Sequence, residues 1–345
     1  MKKILLFTVC FLLSFAAFSQ EKYFCPVQIN FGFPLSTTNV KKAKEYTNAF
    51  SINLLVGISK NERSLALAGV GNVISNNATG LQIAGVSNYI GNAGNGIAVA
   101  GVTNINKGAY NGIQVSGVYN YSGSGNGIAV AGVANMSKGS YNGLQLSGVT
   151  NIAGDVKGLQ FAGVMNIAKK VKGVQFASIL NVAEESNFPI AFVNIIKNGK
   201  MGVALSYDMM NNTMLSFRSG GKYTYGILGV GYNNLVNDGS KVVAEAGYGI
   251  HIPITDWIEI NNEFKATSVG FSDDKTCFNA SYLLAPSFTF LNHFNVFGGA
   301  SFNYLYSNYV NSEDLLPNNC LWEKDNSDNK QRMFIGYQIG LQYVF

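Results

Sequence analysis

The residues that could carry catalytic chemistry are few and lie far apart in the sequence. There are two histidines, His251 and His293, and neither belongs to a nucleophile elbow, a metal-ligand spacing or a phosphate-binding loop. A serine hydrolase needs a serine and a histidine within hydrogen-bonding reach, but nothing in the sequence pairs Ser216 with His251. The sequence therefore predicts no enzyme activity, no cofactor and no metal site.

Six charged residues stand out in the C-terminal part of the chain, where most segments are apolar. They are Asp208, Arg218, Glu245, Glu259, Glu263 and Lys265. Alternate side chains of a β-strand point to opposite faces. In residues 257–267, the face with Ile258 and Phe264 is apolar, whereas the charges fall on the other face. We predict that these six charges line the lumen of a β-barrel.

Three cysteines lie beyond residue 20, at Cys25, Cys277 and Cys320. This odd number argues against a disulfide scaffold. Cys277 and Cys320 fall in predicted loops on the same side of the barrel, and an oxidising compartment would allow a disulfide between them.

A glycine-rich tandem repeat in residues 80–182 dominates the sequence. Each unit reads Gly-apolar-Gln/Ala-apolar-Ala/Ser-Gly-Val-x-Asn, and the spacing between successive units is almost constant. The units start at Gly80, Gly96, Gly112, Gly127, Gly143, Gly158 and Gly173. Side chains alternate with period 2, and Gly, Val, Asn and Thr are frequent, so the repeat predicts β-strands.

A longer period bears on how these strands pair. The third position alternates between alanine and glutamine, and the connectors between units alternate too, which makes the true repeat two strands, as from Asn95 to Asn126. Antiparallel hairpins need this alternation because successive turns lie at opposite ends of the sheet. A single-coil solenoid has no such need, although duplication of two units would imitate the pattern.

Two columns of repeated residues bear on the same choice. The asparagine that ends each unit would stack as one ladder in a parallel solenoid and would form two belts in an antiparallel barrel. Its role is structural in both cases. The glycine in the middle of each unit, such as Gly117, marks a bend or a close approach. It would face lipid in a barrel but could form a corner in a solenoid, and so it favours the solenoid.

The N-terminal residues read as a secretory signal peptide, with Lys2 and Lys3 before an apolar segment and small residues before Gln20. We divide the chain into the signal peptide (residues 1–19), a periplasmic lead-in segment (20–48), the repeat strands (49–198) and the C-terminal barrel strands (199–345). Charged residues make up 12% of the chain. The small, scattered net charge argues against nucleic-acid binding.

The last strand carries the most specific local signal. Its alternate residues are apolar or aromatic as far as the end of the chain: Met333, Ile335, Tyr337, Ile339, Leu341, Tyr343 and Phe345. Residues 333–345 resemble the C-terminal signature of outer-membrane β-barrels, which the barrel-assembly machinery of Gram-negative bacteria reads. Together with the signal peptide, this strand predicts a location in the cell outer membrane.

The repeats resemble those of Gram-negative surface-repeat proteins, which carry tandem Gly-Leu-Gln-x-x-Gly-x-x-Asn units. Residues 80–88 match this unit, and the resemblance extends over residues 51–194. It implies an envelope location. The family has no established activity, so it implies no functional residues.

We therefore predict an all-β protein that forms an antiparallel transmembrane β-barrel of roughly 16–20 strands. The alternative is a β-solenoid-like repeat domain joined to a C-terminal barrel of about eight strands. The predicted function is that of an outer-membrane surface protein with a structural or interaction role. The alternative function is a porin-like passive diffusion channel, because a wide barrel encloses water unless it is plugged. The predicted partners are outer-membrane lipid and the barrel-assembly machinery, and no external ligand is identified.

Overall fold

The computed structural model describes residues 23–32, 35–235, 241–272, 275–308, 319–326 and 329–345. The predicted signal peptide, residues 1–19, lies outside these ranges. The chain divides into two compact units between Gly163 and Val164. Among the described residues, the one helix is a short 3-10 helix at Val40–Glu45. No helix in these ranges is long and apolar enough to cross a membrane.

The first unit consists of short strands that follow the sequence repeat. They are β1 (Phe24–Gly32), β2 (Leu35–Ser36), β3 (Thr47–Asn53), β4 (Val56–Ser59), β5 (Asn61–Ala68), β6 (Gly71–Ile74), β7 (Ala78–Ala84), β8 (Ser87–Ile90), β9 (Gly94–Ala100), β10 (Thr103–Ser116), β11 (Tyr119–Ala131), β12 (Ala134–Ser137), β13 (Tyr141–Ser147), β14 (Thr150–Ile152) and β15 (Asp155–Ala162). Equivalent residues of successive repeats pair in parallel, as Asn104 does with Asn120. The repeats therefore stack as the coils of a β-solenoid.

In the units that start at Gly80 to Gly158, two glycines permit this close stacking. Gly112 has a φ of +127°, which favours glycine, and a Cβ there would lie 2.0 Å from the carbonyl oxygen of Gly96. At the corner of the same coil, a Cβ on Gly117 would lie 2.1 Å from the carbonyl oxygen of Gly101. Both separations are far below van der Waals contact, so the repeat needs glycine at both places.

Parallel pairing corrects the prediction of a single antiparallel barrel of roughly 16–20 strands. The repeat strands stack on their own equivalents, and only the C-terminal strands close into an antiparallel barrel. The alternative prediction, a β-solenoid-like repeat domain joined to a C-terminal barrel of about eight strands, is confirmed.

The two-strand period has a different cause from the one that the sequence suggested. Large and small side chains alternate in the interior of successive coils. A Cβ on Gly94 would lie 2.4 Å from the ring of Tyr110, and a Cβ on Gly125 would lie 2.2 Å from the ring of Tyr141. Each tyrosine thus fills space that its glycine leaves free in a neighbouring coil, and the alternation reflects interior packing.

The N-terminal coil includes part of the predicted lead-in segment. Although this segment contains Pro26, Phe24–Gly32 forms strand β1, which pairs in parallel with β3. Strand β2 pairs antiparallel with β1, Asn30 opposite Ser36, on the edge that faces away from β3. An edge strand tolerates proline because half of its N–H groups need no ladder partner.

The second unit begins with further coils and continues into a closed sheet. Its coil strands are β16 (Met165–Ile167), β17 (Lys170–Ala177), β18 (Leu180–Ala183), β19 (Glu185–Ile190) and β20 (Val193–Ile196). The remaining strands are β21 (Met201–Asp208), β22 (Asn212–Gly220), β23 (Thr224–Asn233), β24 (Val242–Thr255), β25 (Ile258–Ser272), β26 (Lys275–Phe290), β27 (Phe294–Ser307), β28 (Trp322–Asp325) and β29 (Lys330–Val344).

Eight of these strands form an antiparallel barrel. Strands β21 to β27 follow each other around the sheet, β29 pairs with β27, and β29 closes the barrel by pairing with β21, Leu341 opposite Leu205. Strand β28 lies in the connection between β27 and β29 and pairs with β29.

The hairpin β22–β23 of the barrel covers the last coil. The backbone N–H of Asn194 donates to Ser219 Oγ at 2.9 Å, and its side-chain Nδ2 donates to the Ser219 carbonyl at 3.1 Å. Thr224 Oγ1 donates to the carbonyl of Pro189 at 2.7 Å. The edge of strands β19 and β20 therefore finds its hydrogen-bond partners on the barrel.

Candidate functional site

The barrel interior holds two close ion pairs, which a longer contact of 3.6 Å between Lys265 Nζ and Glu263 Oε2 connects. Arg218 Nη1 lies 3.0 Å from Glu263 Oε1, and Lys265 Nζ lies 3.0 Å from Glu245 Oε2. All four side chains are at most 3% exposed. The hydroxyl of Tyr225 donates a further hydrogen bond of 2.7 Å to Glu263 Oε1. Opposite charges buried together offset part of the desolvation that either charge alone would suffer.

A second polar group lies near the barrel end at which β21 begins. Lys200 Nζ lies 2.6 Å from Glu259 Oε2. His251 Nδ1 lies 2.9 Å from Asn261 Oδ1, and the His251 ring stacks on Tyr225 with 4.1 Å between centroids. Because the hydroxyl of Tyr225 bonds to Glu263, this residue contacts both this group and the Arg218–Glu263 pair.

Amide and hydroxyl groups extend the interior network across the barrel. Lys265 Nζ donates to Gln338 Oε1, and Gln338 Nε2 donates to Ser206 Oγ at 2.8 Å. Ser216 Oγ donates to Glu245 Oε1 at 2.9 Å. Eight strands enclose an interior just wide enough for side chains to fill. Here paired and hydrogen-bonded side chains share that space with buried apolar ones, among them Leu283, Phe297 and Phe334.

The outer wall of the barrel has the opposite character. Large apolar side chains between 36% and 63% exposed point away from the interior on all eight strands. They include Val203, Leu215, Val230, Ile250, Phe264, Leu284, Val296, Phe302, Ile335 and Ile339. An apolar exterior around an interior that holds charged and hydrogen-bonded side chains is typical of a transmembrane β-barrel.

Aromatic side chains cluster at the end of the barrel at which β21 begins and β29 ends. Phe294 contacts Tyr343 with 5.2 Å between ring centroids and Phe290 with 5.7 Å. Trp257 lies 6.3 Å from Phe288 on the same outer wall. Aromatic girdles of this kind lie at the water–hydrocarbon boundary of membrane barrels.

The predicted lumen charges fall into two groups. Arg218, Glu245, Glu259, Glu263 and Lys265 lie in the barrel interior, as the preceding contacts describe. Asp208 lies at the end of β21, where its carboxylate accepts hydrogen bonds from the backbone N–H groups of Met210 and Asn212 and from the Asn212 side chain. It holds the β21–β22 turn and does not join the ion pairs. The interior partners Lys200, Tyr225 and Gln338 were not predicted.

The structure shows no hydrogen bond between Ser216 and His251. Ser216 bonds to Glu245, whereas His251 bonds to Asn261. Cys277 is buried in β26, and no disulfide joins it to Cys320 within the part of the chain that the structure describes. Nor do the described residues contain a group of three or more His, Cys, Asp or Glu side chains placed to hold a metal ion.

The interior of the repeats also holds polar side chains beside its apolar ones, but these polar groups are amides in place of ion pairs. In the first unit, Nδ2 of Asn104 donates to Oδ1 of Asn120 at 2.9 Å and to the carbonyl of Val115 at 2.8 Å. The same bond joins each neighbouring pair of Asn72, Asn88, Asn104, Asn120, Asn135 and Asn151. In the second unit the corresponding bonds join Asn166 to Asn181 and Asn181 to Asn194.

One buried carboxyl group interrupts this neutral interior. Glu62 is 3% exposed and accepts hydrogen bonds from Ser51 Oγ at 2.7 Å and from Asn48 Nδ2 at 3.0 Å. Burial raises its pKa to about 7, although the hydrogen bonds from Ser51 and Asn48 act in the opposite direction.

Comparisons with protein-family models, curated proteins and solved structures find no match to this chain. The repeat-plus-barrel architecture and the placement of its side chains are therefore the basis of the function proposed below.

Proposed function

We propose that the chain is an outer-membrane β-barrel protein with a structural or interaction role, in which the barrel is the membrane anchor and the repeats are the interacting part. The observation that supports this most strongly is the apolar outer wall around an ion-paired interior. A barrel with that wall would expose a large apolar surface in water, whereas in a bilayer the same surface lies against lipid chains. Residues 333–345, in β29, are the segment proposed to be read by the barrel-assembly machinery.

We expect the barrel not to conduct. The alternative function, a porin-like diffusion channel, needs a continuous water-filled lumen. The ion pairs Arg218–Glu263 and Lys265–Glu245, with Gln338 and Tyr225, occupy the interior at the level where a pore would pass. Purified protein in planar bilayers should give no steps above background, and reproducible channel steps would favour the porin-like alternative.

The connections between strands support an orientation in the membrane. At the end where β21 begins and β29 ends, the turns after β22, β24 and β26 have only two or three residues. The long connection from β27 to β29 lies at the opposite end. Bacterial barrels have short periplasmic turns and longer outer loops. The repeats join the barrel at the short-turn end, so we propose that they lie on the periplasmic side.

The test of the anchor is heat modifiability of the protein extracted from outer membranes of a Gram-negative host. The unboiled band should migrate faster than the boiled band, as for other closed barrels. Leu284→Arg places a charge in the middle of the apolar wall and should abolish the fast band, at a cost of about 2–4 kcal/mol to insertion. Asn126→Arg, at an exposed position of the repeats, is the matched control and should keep it.

The orientation has its own test in a background in which Cys25, Cys277 and Cys320 are replaced by serine. A membrane-impermeant maleimide added to intact cells should label Glu323→Cys, in β28, but should label Lys222→Cys only after the outer membrane is permeabilised. Labelling of Lys222→Cys in intact cells would show that the repeats face outward.

A further inference from the structure

Each coil of the first unit presents two large apolar side chains outward from one of its strands. In β9, Ile97 and Val99 point outward, whereas Ala98 between them is buried. The same alternation occurs in the nine strands β1, β3, β5, β7, β9, β10, β11, β13 and β15, whose equivalent residues pair in parallel. The outward residues form two continuous columns, from Val27 to Leu159 and from Ile29 to Phe161, which we call the apolar face.

The apolar face is uncharged and accessible along its whole length. All of its residues are valine, isoleucine, leucine or phenylalanine, and none of them is buried. Ile52, for example, is 50% exposed and Ile97 is 41% exposed. Between residues 64 and 154 the only charged side chains are Lys107 and Lys138, and neither belongs to the face. Six successive coils therefore turn an uninterrupted apolar surface outward.

The sheet that carries the apolar face is covered on only one side. Its inner side packs in the coil interior, where Ala98 and Gln114 are buried. All-parallel sheets occur almost only where both sides are covered. Nine strands about 4.8 Å apart, each contributing about five residues at roughly 3.3 Å per residue, give a face of about 700 Å². A contiguous apolar surface of this size marks an interaction site.

The size, spacing and charge of the apolar face favour a second copy of the chain as its occupant. A standard interface buries about 800 Å² on each partner, so the face supplies most of that area. Two sheets pack face to face by interdigitating their side chains, and a second copy has the same row spacing of about 4.8 Å. The exposed column beside the face holds Asn95, Asn111, Asn126 and Asn142, so two copies meet without charge repulsion. Surfaces that bind the membrane interface carry lysine or arginine beside their apolar residues.

We propose that the apolar face packs against the same face of a second copy of the chain and so forms a two-fold dimer through the repeats. This inference rests on the proposed function, in which the repeats are the interacting part, and it names their partner. An interface made by the same surface of both copies places its central residues close to their own copies. Strand β9 is the fifth of the nine strands. Ile97 and Val99 should therefore lie near the two-fold axis.

The first test is cross-linking of the full chain with Cys25, Cys277 and Cys320 replaced by serine, in isolated outer membranes and as purified protein. A short bismaleimide should join two chains through Val99→Cys and give a band at twice the mass of the chain on boiled gels. Lys138→Cys, exposed in the connector between β12 and β13, is the matched control. We expect the linked fraction to be at least about fivefold higher for Val99→Cys, because only central residues lie close to their own copies.

The second test places a charge at the centre of the apolar face. Val99→Lys or Val99→Glu alone would oppose two like charges in an apolar interface, so the dissociation constant of the dimer should rise at least about tenfold. An equal mixture of the two variants should dimerise again, because each lysine then meets a glutamate. Lys138→Glu should leave the dimer unchanged. Sedimentation equilibrium in density-matched detergent measures the mass, and circular dichroism with the heat-modifiable band checks that each variant is folded.

A monomer mass without linking of Val99→Cys, in protein that keeps its heat-modifiable band, would overturn the inference while the membrane anchor stands. Equal linking of Lys138→Cys, or a dimer that persists in Val99→Lys, would also overturn it, because another surface would then hold the chains together. Quenching of a bimane label at Val99→Cys by doxyl-labelled lipid would identify lipid as the occupant. If the unmodified chain lacks the heat-modifiable band but Val99→Cys still links, the membrane anchor fails and the dimer of the repeats stands.

Discussion

The repeats and the barrel both turn polar side chains inward, but they satisfy those side chains in different ways. The repeats use asparagine, glutamine and serine, whereas the barrel uses the ion pairs Arg218–Glu263 and Lys265–Glu245. Strand direction explains the difference. Parallel stacking in register places identical residues about 4.8 Å apart, so a charge at a repeated position would face a column of like charges. An amide carries both a donor and an acceptor and can bond to a copy of itself.

Antiparallel strands that close into a barrel bring different residues together, so opposite charges can meet. Glu62 is an interior charge in the repeats, and it is tolerated because the adjacent coils hold no copy of it. It lies in an N-terminal coil, where its parallel neighbours are Asn48 and Ala78 and no second carboxylate stacks on it. A charged side chain can therefore lie in the interior of either architecture only where the adjacent strand or coil does not place the same charged residue beside it.

A carboxylate in the middle of the amide ladder tests whether the repeats need uncharged amides in their interior. Asn120 Nδ2 donates to the carbonyls of Gln114 and Val130 and to Asn135 Oδ1. Asn120→Asp removes these donors and sets a carboxylate against their acceptors. We expect the free energy of unfolding of the repeats to fall by about 5 kcal/mol. Urea titration followed by circular dichroism measures it, with Asn111→Asp at an exposed site as the control. Equal stability of the two variants would contradict the ladder argument.

The corresponding test in the barrel removes one member of an ion pair. Arg218→Met leaves Glu263 buried with fewer compensating charges and should lower barrel stability by about 4 kcal/mol. The double variant Arg218→Met/Glu263→Gln removes the uncompensated charge and should recover much of that loss. The temperature at which the fast gel band disappears provides the measurement. A double variant that is less stable than Arg218→Met would show that charge compensation is not what the pair provides.

The isolated carboxyl of Glu62 gives the repeats a pH dependence. Its pKa is about 7 in the folded chain and 4.5 is its ordinary value, so the folded state binds more protons between these values. Stability should therefore be highest below pH 4.5 and fall by about 3 kcal/mol as the pH rises to 7. Glu62→Gln should remove that dependence, and exposed Glu184→Gln should keep it. The urea concentration at the midpoint of unfolding, measured across this pH range, tests this prediction. A midpoint of the unmodified chain that does not change with pH would contradict the burial of Glu62.

The smallest expected effect concerns the alternation of large and small side chains. Gly125→Ala places a methyl group against the ring of Tyr141 and should destabilise the repeats by about 2 kcal/mol. Replacing Tyr141 by leucine in the same chain should restore part of the loss, because the ring that clashes is gone. Circular dichroism in urea measures both variants. Additive destabilisation in the double variant would show that the two residues do not share one interior space.

Strand positions and strand faces could be predicted from the sequence. The alternation of residues 257–267 placed Glu259, Glu263 and Lys265 opposite Ile258 and Phe264, and these sets lie inside and outside the barrel. Pairing direction could not be predicted in the same way, because alternation within a strand is identical in parallel and antiparallel sheets. In the structure, parallel pairing is what allows the ring of Tyr110 to fit against Gly94, one repeat away, because these residues then lie in adjacent coils.

The partners of the interior charges were beyond sequence reasoning for a related reason. Gln338 reaches Lys265, and Lys200 reaches Glu259, across 73 and 59 residues of sequence. Such contacts depend on how strands are staggered around the closed barrel, and no local pattern records that stagger. Asp208 is predicted to lie in the interior with the other charges of the later strands, but it lies at a strand end, where an aspartate can hold a turn.

The fit of Tyr110 to Gly94 and of Tyr141 to Gly125 also constrains how the length of this chain can change. Loss of a single coil would bring two tyrosine layers, or two glycine layers, into contact. Loss or gain of two successive coils would leave the alternation of thick and thin layers intact. In this part of the chain, insertions and deletions that keep a well-packed interior should therefore come in whole pairs of coils.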